Sequence, residues 1–430
     1  MLFFNRPRTW LLTTFIVLLS ACTTAPVVID SRVQTNSKSA LDKPYVILIS
    51  LDAFRWDYVD RFKPPHLSRF INEGVKSESL IPSYPSKTFP NHYTIATGLY
   101  PDKHGIISNS FYDPELNLEY SKKAVGSSED GRFYGGTPIW VQAARSGLVT
   151  ASYFFLGSEA EVQGIRPTYY KKFNMTTKKE VRVNKVLEWL NLPANERPHM
   201  ITMYFPDMDN TGHRYGPNND EKLKASLFEL DQHLGNLFDG VKQTNLAVNI
   251  IIVSDHGMSD VAVDNYLSVD SLYNDELYRA YNNGSMINIY PYDNQRTDEI
   301  FALLKAREKN NHFKVYRTKD APRFEYIPHN KNWGAMQIIP DDGYYFNSDW
   351  LIGRRIKSGE AVFGEHGFDS NDKNMHGIFF ANGPAFKKGF VAPSVKNIHI
   401  YPLMCTILDL DIPDNIDGKL APIQSVLSNN

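Results

Sequence analysis

The sequence predicts an α/β fold with a mostly parallel central sheet, helices on both faces and a small inserted α+β subdomain. Uninterrupted apolar runs of strand length lie at 45–51, 149–156, 199–205 and 248–254. Runs of this kind are typical of strands buried on both faces. Segments with helical periodicity separate them, as expected when helices join parallel strands. A chain of 430 residues has room for one large domain of this type or for two ordinary ones.

The N-terminus predicts an export signal. Arg6 and Arg8 precede an apolar run at 10–19, which ends in Leu-Ser-Ala before Cys22. A charged start, a short apolar stretch and small residues before a cleavage point define a secretory signal. The sequence at Cys22 resembles a bacterial lipobox, whose cysteine becomes the lipidated first residue; the alternative is an ordinary signal with an incidental cysteine. We expect removal of 1–21, a lipid anchor on Cys22, and export to the bacterial cell envelope, facing the periplasm or the cell surface.

Residues 22–43 are expected to form a tether, and 44–425 the globular domain. After the first strand, the predicted helices lie at 64–74, from Thr88 to Gly98, at 135–147, at 178–190 and at 223–237. Leucines at steps of four and three mark the last of these as amphipathic. Short β-like runs, a helix at 297–308 and several Pro and Gly residues predict that 285–345 is the inserted subdomain. Apolar segments at 377–381 and 397–410 complete the core.

Thr88 is the first candidate functional residue. Pro85 and Pro90 bracket a short polar turn, and the helical pattern begins at Thr88. Free N–H groups at the start of a helix favour an anion. The Thr88 hydroxyl could therefore attack phosphorus if its proton is removed. The alternative is that Thr88 is only an N-cap, a common role for threonine.

Three aspartates follow buried-type strands: Asp52, Asp209 and Asp255. In a parallel α/β sheet, ligands gather at the carboxyl ends of the strands, so these side chains should converge. Three carboxylates in one crevice repel one another and cannot all stay ionised. Bound cations would remove this conflict.

Three histidines indicate which cation. His213 lies four residues after Asp209 on a glycine-containing turn, His256 follows Asp255 directly, and His366 lies on a glycine-flanked loop. Mixed His and Asp ligands without Cys are typical of catalytic zinc, whereas magnesium and calcium prefer oxygen alone. With the threonine hydroxyl, the set could hold two ions about 4 Å apart.

These motifs together resemble the nucleotide pyrophosphatase/phosphodiesterase family of the alkaline phosphatase superfamily. The matching segments are Asp52, the Lys-Thr-Phe-Pro-Asn-His-Tyr stretch that contains Thr88, Asp209 with Gly-His213 and Gly-Pro217, Ser-Asp255-His256-Gly-Met, and His366-Gly-Phe-Asp369. They run in the family's order from about residue 45 to 410. The resemblance implies two Zn²⁺ ions and hydrolysis of nucleotide phosphodiester or pyrophosphate bonds to nucleoside monophosphates, through a covalent intermediate on Thr88.

The resemblance also implies a role for each candidate residue. Thr88 is the nucleophile; Asp209, His213 and His366 hold one zinc; Asp52, Asp255, His256 and the Thr88 hydroxyl hold the other; Asn109 donates to a phosphoryl oxygen; Phe89 and Phe173 flank the base. Two departures stand out. Pro206-Asp207-Met208-Asp209 replaces the usual Glu-Pro-Asp, which makes Asp207 a competing ligand. Phe155-Leu156-Gly157-Ser158 replaces Trp-Pro-Gly-Ser beside the substrate pocket.

Other functions remain open at this point. A formal net charge of −2 gives no bulk attraction to nucleic acid, so no duplex partner is expected. Within the family, a choline-type phosphodiesterase acting on lysophospholipid or glycerophosphocholine would need an aromatic cage or an acidic wall. A phosphomonoesterase would want an arginine at the phosphate, and none is near Thr88 in sequence. From another class, the chain could be a non-catalytic metal-binding surface lipoprotein.

Overall fold

The computed structural model describes residues 28–29, 35–121, 124 and 126–428. The predicted signal at 1–21, Cys22 and most of the predicted tether lie outside these residues. Export and lipid anchoring therefore stay predictions. Among the described residues, every helix is too short or too polar to span a bilayer.

Within the described residues, nine strands form the central sheet. Their spatial order is Val28–Ile29, Tyr169–Lys171, Thr150–Tyr153, Met200–Phe205, Tyr45–Leu51, Val248–Val253, Phe379–Asn382, Val75–Ser77 and Phe390–Ala392. The five strands from Tyr169–Lys171 to Val248–Val253 run parallel, and Phe379–Asn382 joins them antiparallel. The prediction of a mostly parallel sheet is confirmed.

Helices cover both faces of this sheet. In the described chain they are Tyr58–Phe62, Pro65–Asn72, Thr88–Thr97, Pro101–His104, Ile139–Arg145, Lys179–Leu190, Asp207–Tyr215, Asp220–Gln243, Thr297–Lys305, Asp349–Ser358 and Ile400–Ile407. Alternate residues of strand Tyr45–Leu51 enter two separate apolar cores, Val46 and Leu48 one of them, Ile47 and Ile49 the other. Burial on both faces explains why this strand is a continuous apolar run.

A second sheet follows strand Val248–Val253 in the sequence. Its antiparallel strands, in spatial order, are Tyr278–Asn282, Ile287–Pro291, Met336–Pro340 and Phe313–Arg317. Helix Thr297–Lys305 packs on this sheet. The helix and the sheet together form an apolar core that is separate from the two cores of the central sheet. This sheet begins before the predicted start at 285 because its first strand is only half-buried after Tyr278 and carries no apolar run. The exact limits of an inserted subdomain remain a prediction.

Four short strand pairs complete the described β-structure. They are Leu80–Ile81 with Val395–Lys396, Ser110–Asp113 with Leu118–Ser121, Ser259–Ala262 with Val362–Glu365, and Tyr266–Ser268 with Tyr345–Asn347.

The predicted turn between Asp209 and His213 is wrong, because these residues lie in helix Asp207–Tyr215. Gly212 instead allows close packing, because it has no side chain. A Cβ on Gly212 would lie 2.4 Å from Met258 Sδ, and a Cβ on Gly364 would lie 2.4 Å from the Gly212 carbonyl oxygen. The helix therefore touches the strand that leads into the His366 loop, which brings the segments of His213 and His366 together.

The contact between Gly212 and Gly364 gives a stability prediction. Gly364→Ala should lower the free energy of unfolding by about 1–3 kcal/mol. The contact leaves no space for the added methyl group, which would push the backbone of Gly364 away from that of Gly212. The matched control is Gly353→Ala, in the interior of helix Asp349–Ser358 with open space around it. That change should raise stability by up to about 1 kcal/mol. Urea unfolding of both variants measures this, and wild-type stability of Gly364→Ala would contradict the packing argument.

Candidate active site

The predicted aspartates and histidines meet at the carboxyl ends of the central strands. Potential ligand atoms of Asp52, Asp255 and His256 lie within 4.8 Å of one another, and so do those of Asp209, His256 and His366. His256 belongs to both groups, and its ring stacks on that of His366 at 3.7 Å between centroids. The structure thus forms two adjoining clusters that share one imidazole.

His213 joins the second cluster through Asp209. His213 Nε2 lies 3.2 Å from Asp209 Oδ1, and His366 Nε2 lies 3.8 Å from the same oxygen. Burial alone would lower the pKa of His213, but the Asp209 carboxylate raises it to about 9. The competing Asp207 instead pairs with Lys179 Nζ at 2.8 Å. Asp209, and not Asp207, therefore faces the histidines.

All three histidines present the same nitrogen to the clusters. Nδ1 of each ring donates to a backbone carbonyl: His213 to Gly364 at 2.7 Å, His256 to Gly257 at 2.8 Å, and His366 to Ser86 at 2.9 Å. A carbonyl can only accept, so Nδ1 carries a proton, and in the neutral ring Nε2 keeps its lone pair. An imidazole fixed in this way is oriented as a metal ligand.

Two carboxylates each keep one oxygen free of donors. Tyr204 Oη donates to Asp52 Oδ2 at 2.5 Å, and the Ala53 N–H donates to Asp255 Oδ1 at 3.2 Å. Asp52 Oδ1 and Asp255 Oδ2 are buried and accept no hydrogen bond within the described residues. A buried polar atom without a partner is costly. A cation between these two oxygens would satisfy both.

The electrostatics of the site also favour a cation. Burial raises the pKa of Asp52 well above its usual value, and the charges of Asp255 and Asp209 raise it further. Burial likewise raises the pKa of Asp255 to about 8 and lowers that of His256 to about 3. Divalent cations reverse this preference and restore ionised carboxylates beside neutral imidazoles. The Asp and His donors fit zinc.

Thr88 is the first residue of helix Thr88–Thr97, and Lys87 is the N-cap. The alternative that Thr88 serves only as an N-cap is therefore wrong. Thr88 is buried, and its hydroxyl lies 3.3 Å from His256 Nε2. The fold thus places a threonine hydroxyl directly against the Asp52–Asp255–His256 cluster.

Asn109 is held beside the start of this helix. Asn109 Oδ1 accepts the Phe89 N–H at 3.0 Å, which leaves the amide nitrogen of Asn109 as a donor. The start of the helix has fewer free N–H groups than the sequence predicts, because Pro90 has no N–H and the Phe89 N–H already donates to Asn109. Of the first three helical residues, Thr88 alone has an N–H with no acceptor within the described chain. The donors available to an anion here are the Thr88 N–H and the Asn109 amide.

A cavity of about 340 Å³ opens beside Thr88. Both predicted aromatic residues, Phe89 and Phe173, line it. The other lining residues are Asp52, Thr88, Ser128, Phe154, Phe155, Leu156, Gly157, Glu159, Met175, Tyr204, Pro206, Asp209 and Asn210. Phe173 is 44% exposed and packs edge-on against Phe154 at 5.4 Å. Its N–H donates to Glu159 Oε1 at 2.6 Å, which fixes the cavity wall.

The sequence patterns do not single out two of these residues, Tyr204 and Glu159. Tyr204 orients Asp52, yet in sequence it is one aromatic residue within an apolar strand. Glu159 ends the Phe-Leu-Gly-Ser-Glu segment, whose first residues differ from the family pattern and give no sign of a role for the glutamate. A polar or phenolic group at the carboxyl end of a buried strand is the signal that could have identified Tyr204.

Comparison with known proteins gives consistent matches. Residues 46–369 match the family described as type I phosphodiesterase/nucleotide pyrophosphatase. The chain is 35% identical to venom phosphodiesterase 2 of Crotalus adamanteus over 407 residues, covering 92% of this chain and 49% of that protein. It is 35% identical to human ectonucleotide pyrophosphatase/phosphodiesterase family member 1 over 413 residues, covering 93% and 44%. The chain spans about half the length of the curated relatives it matches.

Two solved structures are similar over their whole length. Murine ectonucleotide pyrophosphatase/phosphodiesterase 5 is 30% identical with a TM-score of 0.80, covering 89% of this chain and 100% of that chain. An inactive threonine-to-alanine variant of that murine protein, in complex with AMP, is 29% identical with a TM-score of 0.80 and covers 90% and 100%.

The two aspartates of helix Asp207–Tyr215 give a prediction on metal content. Asp209→Asn should bind less zinc than the wild-type protein, because a neutral amide replaces a carboxylate between His213 and His366. Asp207→Asn is the matched control and should keep the wild-type content, because it removes only the pair with Lys179. Elemental analysis after zinc loading and dialysis measures both. Metal loss in Asp207→Asn with retention in Asp209→Asn would reverse the assignment.

Proposed function

Because the chain belongs to the type I phosphodiesterase/nucleotide pyrophosphatase family, we propose that it is a two-zinc phosphodiesterase. Its substrates are nucleotide phosphodiesters or pyrophosphates, which it cleaves to nucleoside monophosphates. The observation that carries the proposal is the Thr88 hydroxyl, which lies 3.3 Å from His256 Nε2, in a residue that lines a cavity with aromatic walls. A nucleophile, a cation site and a base pocket thus adjoin one another.

Each ion has a set of protein ligands in this proposal. Asp209, His213 and His366 hold one, and Asp52, Asp255, His256 and the Thr88 hydroxyl hold the other. When bound, zinc lowers the pKa of a coordinated hydroxyl and offsets the negative charge of phosphoryl oxygens. The shared position of His256 between the clusters supports two neighbouring ions.

The chain's own groups then carry out two displacements. Thr88 Oγ forms a bond to phosphorus as the bond from phosphorus to the leaving oxygen breaks, and that oxygen leaves as an alcohol or a phosphate. The nucleotide is now an ester of Thr88. A water oxygen next bonds to phosphorus, the Thr88 ester bond breaks, and the hydroxyl is restored. The Asn109 amide and the Thr88 N–H donate to the phosphoryl oxygen, where charge develops in both steps.

The residues that line the cavity favour a phosphodiester over a phosphomonoester as the substrate. None of the described residues that line it is an arginine or lysine. A monoester carries two charges spread over three non-bridging oxygens, which call for additional cationic donors, whereas a diester has one charge shared between two oxygens. The relatives are named phosphodiesterases, which supports the same choice.

The aromatic walls of the cavity favour a nucleotide as the substrate. Phe89 and Phe173 line it, and a nucleobase stacks favourably on aromatic faces. A structurally similar murine protein is in complex with AMP, and its threonine-to-alanine variant is inactive, which parallels the role proposed for Thr88.

The same cavity also supports a second candidate, a choline-type phosphodiesterase. Glu159 lines the cavity together with Phe154, Phe173 and Tyr204. An acid within an aromatic enclosure suits a quaternary ammonium group. The two candidates share the ions and Thr88 and differ only in the group that fills the cavity.

The covalent step gives a direct mutational prediction. Thr88→Ala should lower turnover by about 10³-fold or more, since nothing else at that position can bond to phosphorus. Its zinc content should stay largely intact, because six other side chains hold the ions. Thr97→Ala is the matched control: Thr97 closes the same helix and donates only to the Tyr93 carbonyl. Steady-state rates near wild type in Thr88→Ala would contradict the proposal.

The choice between the two candidates rests on the cavity. The zinc-loaded enzyme should prefer p-nitrophenyl thymidine 5′-monophosphate to p-nitrophenylphosphorylcholine in kcat/KM, because a base can stack on Phe89 and Phe173. AMP should inhibit competitively and phosphocholine only weakly. A preference for the choline ester would replace the nucleotide assignment with the second candidate.

A further inference from the structure

His92 is a buried histidine that the proposed chemistry does not use. It lies one helical turn after Thr88 and is fully buried. Its Nδ1 bonds to the Thr88 carbonyl at 2.8 Å, and its Nε2 to Ser50 Oγ at 2.7 Å. Both ring nitrogens are therefore engaged by elements that form the site: the nucleophile's helix and strand Tyr45–Leu51, which Asp52 follows.

These two bonds fix the tautomer of His92. Because the Thr88 carbonyl can only accept, Nδ1 of His92 carries the proton. Nε2 therefore accepts from the Ser50 hydroxyl. The ring is a donor toward the helix start and an acceptor toward the central strand, and it fits in one orientation only.

The protonated edge of the ring also faces a metal-ligand candidate. His92 Nδ1 lies 3.3 Å from Asp255 Oδ2, the buried oxygen that accepts no hydrogen bond. The His92 ring packs edge-on against Tyr204 at 5.3 Å, and Tyr204 donates to Asp52 Oδ2. One imidazole therefore links Thr88 to both carboxylates of the Asp52–Asp255–His256 cluster.

We propose that His92 is a positioning residue that holds the Thr88 helix in register with this cluster and thereby strengthens the cluster's affinity for its cation. The inference rests on the proposed two-zinc function. A group that fixes the ligands of a metal is typically worth 10–100-fold in metal affinity. His92 should act on the ion next to Thr88 and leave the ion at Asp209, His213 and His366 largely unaffected.

The chain offers a matched control in His104. It is equally buried and also bonds to the Thr88 helix, through Nε2 and Thr94 Oγ1 at 3.0 Å. Its Nδ1 accepts the Ile106 N–H at 3.2 Å. Both bonds lie away from the candidate ligands. Replacing His104 removes a comparable buried ring and its hydrogen bonds without touching the cluster.

The experiment measures zinc affinity by competition with a chelating dye, together with kcat and KM for the thymidine ester. His92→Phe should lower the affinity for one of the two zinc ions by about 10–100-fold. At limiting zinc it should also lower kcat by a larger factor than it raises KM. His92→Asn, whose amide nitrogen takes the place of Nδ1, should recover most of the affinity. His104→Phe should keep both affinities, even if its thermal midpoint falls by a similar amount.

Each alternative result has a distinct meaning. Unchanged zinc affinity in His92→Phe, or equal losses in His92→Phe and His104→Phe, would overturn the positioning role. If His92→Phe does not fold, Ser50→Ala removes the bond that fixes Nε2, and it should weaken the same zinc equivalent while leaving the other unchanged. Unaltered affinity in Ser50→Ala, with no folded His92→Phe, would also overturn the role. A wild-type chain that binds no zinc or cleaves neither ester would instead refute the proposed function.

Discussion

Buried carboxylates at one edge of the sheet impose the constraint on which the site depends. Asp52 and Asp255 are almost fully buried, and Asp209 lies beside them. Water is excluded and the charges repel, so these groups cannot ionise together in the protein alone. The surrounding structure is arranged as though positive charge were present: each of Asp52 and Asp255 keeps one oxygen free, and three imidazoles present Nε2. Cation binding would therefore add to the stability of the fold as well as enable its chemistry.

The fold meets this constraint by joining segments that are far apart in sequence. Parallel strands bring Asp52 and Asp255 to one edge, and the packing of Gly212 on Gly364 draws helix Asp207–Tyr215 against the strand before His366. The Thr88 helix then begins against the same cluster. Its first residue is a possible nucleophile because Lys87 is the N-cap, which leaves the hydroxyl free of a capping bond.

Much of this arrangement could be predicted from the sequence. Strands buried on both faces leave continuous apolar runs, and residues that follow such strands must meet where parallel strands end. The helix start at Thr88 was visible because prolines and a glycine bracket it. Strand Thr150–Tyr153 is shorter than its apolar run because Phe154 adopts a φ of 68° and turns into the cavity wall, which an apolar pattern does not reveal.

The remaining features depend on contacts that no local pattern records. Gly212 resembles a turn residue in sequence, and only its contact with Gly364 shows that it allows close approach. Tyr204 and His92 gain their roles from partners more than 40 residues away, Asp52 for the first and Ser50 for the second. A buried histidine and a strand tyrosine are ordinary core residues until those partners are known.

The stereochemical course at phosphorus tests the central claim most directly. A P-chiral phosphorothioate ester of thymidine, hydrolysed in isotopically labelled water, reports whether one or two displacements occur. Two displacements through Thr88 each invert phosphorus, so the account predicts net retention of configuration. Net inversion would mean that water attacks phosphorus directly, and it would contradict the role of Thr88 as nucleophile.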